Sequence, residues 1–216
     1  MTDDEKMADM SLVDFGGALA AKRSVPGGGG AAAYVGALAA ALCSMVGQFT
    51  RGKKRYAAYE ADVERMMDRA EGLRVSLIKL VDEDAYAFYP LSQAYGMPKS
   101  DPTRTQVLED ATKGACKAPL QMMEEIAQVI DLLEEMGQKG SKMLLSDVGC
   151  GALLARAALE AASLNVFVNT KSLMDSKFAS AAESRADELL EKYVPRAEAI
   201  EARVMASIRG TREGRA

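Results

Sequence analysis

The sequence predicts an all-α protein, a mostly antiparallel bundle of about six long helices. Three observations predict it: apolar residues recur at steps of three and four over long segments, no alternating β-rich run is present, and Gly- and Pro-containing stretches punctuate the segments. At 216 residues the chain can bury a proper core, and positions 1–216 read as one domain.

Ser11 can cap a first helix in which Leu12, Phe15 and Leu19 share a face and which ends near Lys22 and Arg23. The stretch VPGGGGAAAYVGALAAALCSMVGQFTRGKKRY follows, running from Val25 to Tyr56. It reads as a glycine-rich loop, a buried central helix and a basic rim. Val35, Leu38, Leu42, Met45 and Phe49 form its one bulky apolar stripe. Ala31, Gly36, Ala40 and Gly47 are among the small residues on its other faces, which let backbones approach or leave room for a flat ligand. A run of about 20 uncharged residues would also cross a bilayer. Alanine and glycine dominate it, however, and Ser44 and Gln48 interrupt it, so no membrane association is expected.

A helix opened by Pro26, Gly27, Gly28, Gly29 and Gly30 offers backbone N–H groups to an anion or a carbonyl oxygen; a flexible turn is the plain alternative. Phosphate-loop readings fail, because a helix rather than a strand precedes the glycines and no Gly-Lys-Ser/Thr ending follows.

The next segment steps through Val63, Met66, Ala70, Leu73, Leu77, Leu80, Asp84, Ala87 and Leu91, and Pro90 should kink or end it. Gly96 to Lys99 read as a loop, and Asp101-Pro102 as the cap and first residue of a helix interrupted by Pro119 and running towards Met136. After a turn bracketed by Gly137 and Gly140, Ser146 or Asp147 starts a helix through Cys150, Leu154, Ala157, Ala161, Leu164 and Val168. A charged helix from about Ala179 to Arg209 comes last, with disorder expected for Thr211 to Ala216.

A net charge of −4 gives no reason to expect nucleic-acid binding. The absence of histidine excludes a Ser-His-Asp triad and a His-based zinc or di-iron site. Cys43, Cys116 and Cys150 lack Cys-x-x-Cys spacing and suit buried thiols in a reducing cytoplasm. The acidic start, MTDDEK, is followed by no apolar run of a secretory signal.

Three groups break the pattern. Asp84 puts a carboxylate in a seam of Leu, Met, Val and Ala, where it needs either a partner, as a register-fixing pair, or a chemical task. Asp82 points elsewhere and is expected to be exposed. Asn165 and Asn169 lie one turn apart and can either join two helices or orient a heterocycle. Arg51, Lys53, Lys54 and Arg55 exceed what a helix dipole needs and can hold an anionic ligand tail.

The motifs PGGGG, SMVGQFTRGKKRY, LVDEDAYAF, MPKSDP, LLSDVGCGALLA and SLNVFVNTKSL resemble, in order and spacing, the cyclodeaminase/cyclohydrolase family. That family includes the cyclodeaminase domain of formiminotransferase-cyclodeaminase and stand-alone methenyltetrahydrofolate cyclohydrolases. The likeness covers about 12–206. It implies an all-helical homodimer that acts on one-carbon tetrahydrofolates, polyglutamylated forms among them, with no permanently bound cofactor and no metal. It maps the catalytic aspartate onto Asp84, with Asp82 as runner-up. Where the family commonly has PGGGS, this chain has Gly30, which puts a hydroxyl contact in question. The implied site joins Pro26 to Gly30, Asn165 and Asn169 around a pterin, with Lys53, Lys54 and Arg55 on the glutamate tail. A stand-alone chain favours the cyclohydrolase over the cyclodeaminase; the reading from another class is a non-catalytic helical scaffold.

Overall fold

A computed structural model describes residues 6–210. Among the described residues there are seven α-helices and no strand. The helices are α1 (Leu12–Ala20), α2 (Gly28–Gln48), α3 (Glu60–Tyr95), α4 (Arg104–Ala115), α5 (Lys117–Lys139), α6 (Leu145–Thr170) and α7 (Ser176–Arg209). Five of them, of 21 to 36 residues, carry the fold. The disorder expected for Thr211 to Ala216 concerns positions outside the described residues.

Helix α2 is the hub, and α3, α5 and α6 pack around it. Gly29 lies against Asp84 and Gly36 against Leu77, so α3 runs antiparallel to α2. Gly28 lies against Asn165 and Gly151 against Ala39, so α6 does the same. Helix α7 reverses on α6, with Gly149 facing Val204 and the Thr170 hydroxyl donating to Glu183.

Helix α2 uses its small residues for the close approach of backbones. Its small face is the buried one: Ala33, Ala39, Ala40, Cys43 and Val46 have no exposed surface. A Cβ on Gly36 would lie 2.8 Å from Ile126 of α5, and one on Gly47 would overlap Met67 of α3. Three neighbours close in so tightly that only small residues fit between the backbones. The bulky stripe therefore takes the open side: Leu38 is 39% exposed and Phe49 56%, while Val35, Leu42 and Met45 are half-buried. By length and composition alone, α2 and the segment Lys142–Thr170 are apolar enough to cross a membrane, yet 56% of the α2 window is buried inside the fold.

Several boundaries also shift. Helix α3 passes through Pro90 without ending, because Leu91 and Ala94 just beyond it are buried and hold the last turn. Helix α4 begins at Arg104, later than the Asp101-Pro102 reading; the Asp101 carboxylate instead accepts the N–H and hydroxyl of Thr103 at 2.8 and 2.7 Å. The break between α4 and α5 falls at Cys116, and Pro119 sits in the first turn of α5, where an N–H would have no intrahelical acceptor. Cys43 and Cys116 are buried as expected, but Cys150 is exposed on the outer side of α6.

Candidate active site

Along α3, Leu77, Leu80, Val81 and Ala85 are buried against the hub, and Asp84 comes next on that side, half-buried. It faces the first turn of α2. The approach is so close that a Cβ on Gly29 would stand 2.5 Å from both carboxylate oxygens. Glycine is thus the one residue that lets the acid lie on the helix backbone. Burial pushes the Asp84 carboxyl from 3.8 up to about 6, and the nearby Gly30 N–H, which favours the ionised form, offsets only part of this.

This carboxylate lines a cavity of about 140 Å³ together with Gly27, Gly28 and Gly29 of the α2 start and Asn165 and Asn169 of α6. Ser24, Val25, Phe88, Ala115, Pro119 and Val168 complete the wall. The amide nitrogen of Asn165 donates to the Ala161 carbonyl at 2.9 Å, and that of Asn169 to the Ala115 carbonyl at 3.2 Å. Each amide keeps its oxygen as an acceptor and one further N–H as a donor. The cavity therefore offers a base of raised pKa, the first-turn N–H groups of Gly28 and Gly29, which lack intrahelical acceptors, and two amide acceptors opposite. Among the described residues no group of three or more Cys, Asp or Glu side chains could hold a metal ion.

The glycine "loop" is largely helix, since α2 begins at Gly28 and Gly27 is its cap. Pro26 borders an adjoining cavity with Lys22, Arg23, Ser24 and Val25. Gly30 contributes its N–H rather than wall: a Cβ there would turn towards Pro26 and Val81, at 3.6 Å from each. A serine in this position would meet only ordinary contacts. Gly30→Ser should therefore fold as the parent does and keep its turnover within about threefold, gaining a few tenths of a kcal/mol from lower unfolded-state freedom; thermal melts and initial rates check this.

Asp82 departs from expectation. It is buried, 8% exposed, and accepts the Met7 N–H at 2.7 Å and the Ala8 N–H at 3.4 Å, so it ties down the Met7–Asp9 turn. Those amides satisfy a carboxylate that the helical stepping alone pointed away from the seam. Lys53, Lys54 and Arg55 are exposed beyond the C-terminal end of α2, roughly 30 Å along the helix from the pocket at its other end. One chain does not bring them to Asp84. Phe88 was missed although it lies one turn beyond Asp84; the same periodicity marks it. Ser24, Ala115 and Pro119 come from a loop and two other helices, and no local signal links them.

With this geometry in view, comparison with known proteins is informative. The formiminotransferase-cyclodeaminase family model matches residues 11–188. A methenyltetrahydrofolate cyclohydrolase of Methylorubrum extorquens is 42% identical over 165 residues, covering 74% of this chain and 79% of that protein. The formimidoyltransferase-cyclodeaminase of Rattus norvegicus is 33% identical over 193 residues, covering 88% of this chain, which spans only 36% of that longer protein. The crystal structure of a formiminotetrahydrofolate cyclodeaminase from Thermotoga maritima superposes with a TM-score of 0.80 at 32% identity, covering 94% of this chain and 97% of that one. Sequence and fold agree that this chain belongs to the formiminotransferase-cyclodeaminase family.

Proposed function

We propose that the protein is a methenyltetrahydrofolate cyclohydrolase, adding water to the methenyl carbon to give the 10-formyl product, with Asp84 as general base. The observation that carries this reading is the Asp84 carboxylate, of raised pKa, set on the positive end of α2 at the wall of the pocket. The 42% identical relative that bears the cyclohydrolase name favours this reaction over the deamination. Cyclodeamination of the formimino compound remains the second reading, favoured by the fold match to a cyclodeaminase. Both reactions pass through a tetrahedral carbon beside a cationic substrate and require the same base.

In the proposed reaction the pterin edge donates its N–H groups to the Asn165 and Asn169 amide oxygens. Water attacks the methenyl carbon and gives a proton to Asp84. The carbon–nitrogen bond to the pyrazine ring then breaks, Asp84 returns the proton to that nitrogen, and the second proton of the original water goes to solvent. In this reading the Gly28 and Gly29 N–H groups meet the oxygen that becomes the formyl group. Asp82, occupied with the Met7 amide, takes no part. The working unit in this reading is a homodimer with no resident cofactor, and its setting the reducing cytoplasm, where free thiols such as Cys43 and Cys116 persist.

The test is loss of methenyltetrahydrofolate absorbance set against ammonia release from formiminotetrahydrofolate, with one preparation. Faster loss of the methenyl compound supports the first reading; ammonia as the main product selects the second; neither reaction overturns both. Because Asp84 must be ionised to act, kcat/KM should fall on the acid side with an apparent pKa of about 6. The corresponding limb in kcat should lie lower, since a bound cation favours the carboxylate. An acid limb near the ordinary value of 3.8 in kcat/KM counts against Asp84 as the base.

A further inference from the structure

We propose that Asp82 is a positioning residue: through the Met7 and Ala8 amides it anchors the N-terminal segment 6–26 to α3, and this anchor holds the Ser24 and Val25 wall of the Asp84 pocket. The inference rests on the folate reading above and adds to it a residue that stays outside the proton transfers and acts through a loop.

The segment is poorly held elsewhere. In α1 only Ala18 is buried, while Leu12, Val13 and Leu19 are 71%, 83% and 40% exposed. Its Leu12 and Phe15 border a cavity of about 100 Å³ with Ile78 and Val81 of α3, and its one aromatic contact is Phe15 with Tyr34 of α2, at 5.6 Å between ring centroids. Among the described residues, the only hydrogen bonds that join 6–26 to the long helices are those of the Met7 and Ala8 amides to the Asp82 carboxylate, at 2.7 and 3.4 Å. An apolar side chain would fill the same space without the cost of desolvating a charge, but it could not fix the Met7–Asp9 turn by its amides.

What the anchor holds reaches the site. Met7 and Met10 border a cavity of about 370 Å³ whose other wall is the loop from Lys22 to Pro26. Within that loop Ser24 and Val25 are also wall of the Asp84 pocket. The anchored turn thus backs the loop on one side, and the substrate meets it on the other. Asp84 itself is fixed separately, by the close packing of α3 on the start of α2. Loss of the anchor therefore loosens the wall and leaves the base in place. Substrate binding must then order the loop, and ordering even one freed residue weakens binding by about tenfold.

Asp82→Ala tests this, with Asp82→Asn as its control, because the asparagine oxygen still accepts the Met7 N–H. Asp82→Ala should raise KM about tenfold and keep kcat within about threefold of the parent, the pattern of lost uniform binding, whereas Asp82→Asn should keep both within about threefold. Tryptic digestion of the full chain reads the anchor without any substrate. The Lys6–Met7 bond carries the held N–H, and Met7 is buried, so this bond should resist cleavage in the parent and in Asp82→Asn. In Asp82→Ala it should be cut about tenfold faster, the share of hydrogen bonds to a carboxylate, with no change at the exposed Lys53, Lys54 and Arg55. Should Asp82→Ala fail to fold, Met7→Pro removes the same N–H and leaves α3 untouched; Lys6 already has the ψ of 126° that a following proline requires. It should raise KM about tenfold as well. An unchanged KM in these variants, a loss confined to kcat, an Asp82→Asn as impaired as Asp82→Ala, or unchanged cleavage after Lys6 overturns the proposal. A parent without folate turnover defeats the functional reading and this role with it, a result distinct from normal turnover in the parent with an unchanged KM in the variant.

Discussion

Asp84→Asn should lower kcat/KM for the folate reaction by about 10²–10⁴-fold, the usual share of a positioned base, and at the same time make the protein more stable at neutral pH. The stability gain follows from the same burial that makes the acid useful. Its pKa is raised on folding, from 3.8 to about 6. The folded state therefore holds the proton more tightly than the unfolded chain. Below about pH 4 both states are protonated and burial carries no ionic penalty; as pH rises through 6 the folded state must accept a charge, and that advantage is lost. At pH 8 the penalty is about 1–3 kcal/mol, which the isosteric neutral amide removes while its oxygen can still accept the Gly30 N–H. Urea unfolding of parent and variant should differ at pH 8 and converge near pH 4. A variant as active as the parent, or one less stable at pH 8, shows that the acid has another task.

The stepping of Leu77, Leu80 and Asp84 along α3 was legible in the sequence because one bulky stripe per helix leaves a single answer. In α2 the same rule left the buried face open. Val35, Leu38, Leu42, Met45 and Phe49 form the bulkiest stripe, but in a helix hemmed in by three others, closeness of backbones outweighs side-chain bulk, and the small residues go inside. Periodicity registers hydrophobicity and is blind to the distance between helix axes. Asp82 failed for a different reason: its partners, the amides of Met7 and Ala8, come from about 75 residues away. Nothing local to LVDEDAYAF marks such a partner. Likewise Lys53, Lys54 and Arg55 and the pocket are close in sequence to the two ends of α2, so their separation is fixed only by the rise of the helix between them.

The three glycines that open α2 should respond very unequally to a single methyl group, and Gly29→Ala should be the severe case. At Gly28 a Cβ meets only the Asn165 amide at 3.7 Å, and at Gly30 only Pro26 and Val81 at 3.6 Å, all ordinary contacts. At Gly29 it falls 2.5 Å from both oxygens of Asp84. Those oxygens end a side chain that can rotate, so the fold survives and the carboxylate swings away, losing the Gly30 N–H. A displacement of about 1 Å at a reacting group costs roughly 10²-fold, so Gly29→Ala should lose about that much in kcat while Gly28→Ala and Gly30→Ser stay within a few-fold of the parent. The acid limb of the pH profile should move as well, because the displaced carboxylate has a new environment. The decisive measurement is the double variant. If Gly29 acts only by seating Asp84, adding Gly29→Ala to Asp84→Asn should cost little further activity, whereas independent effects would multiply. Multiplying losses would mean that the α2 start serves the reaction through contacts of its own, and the close seating of the acid would then be a feature of packing.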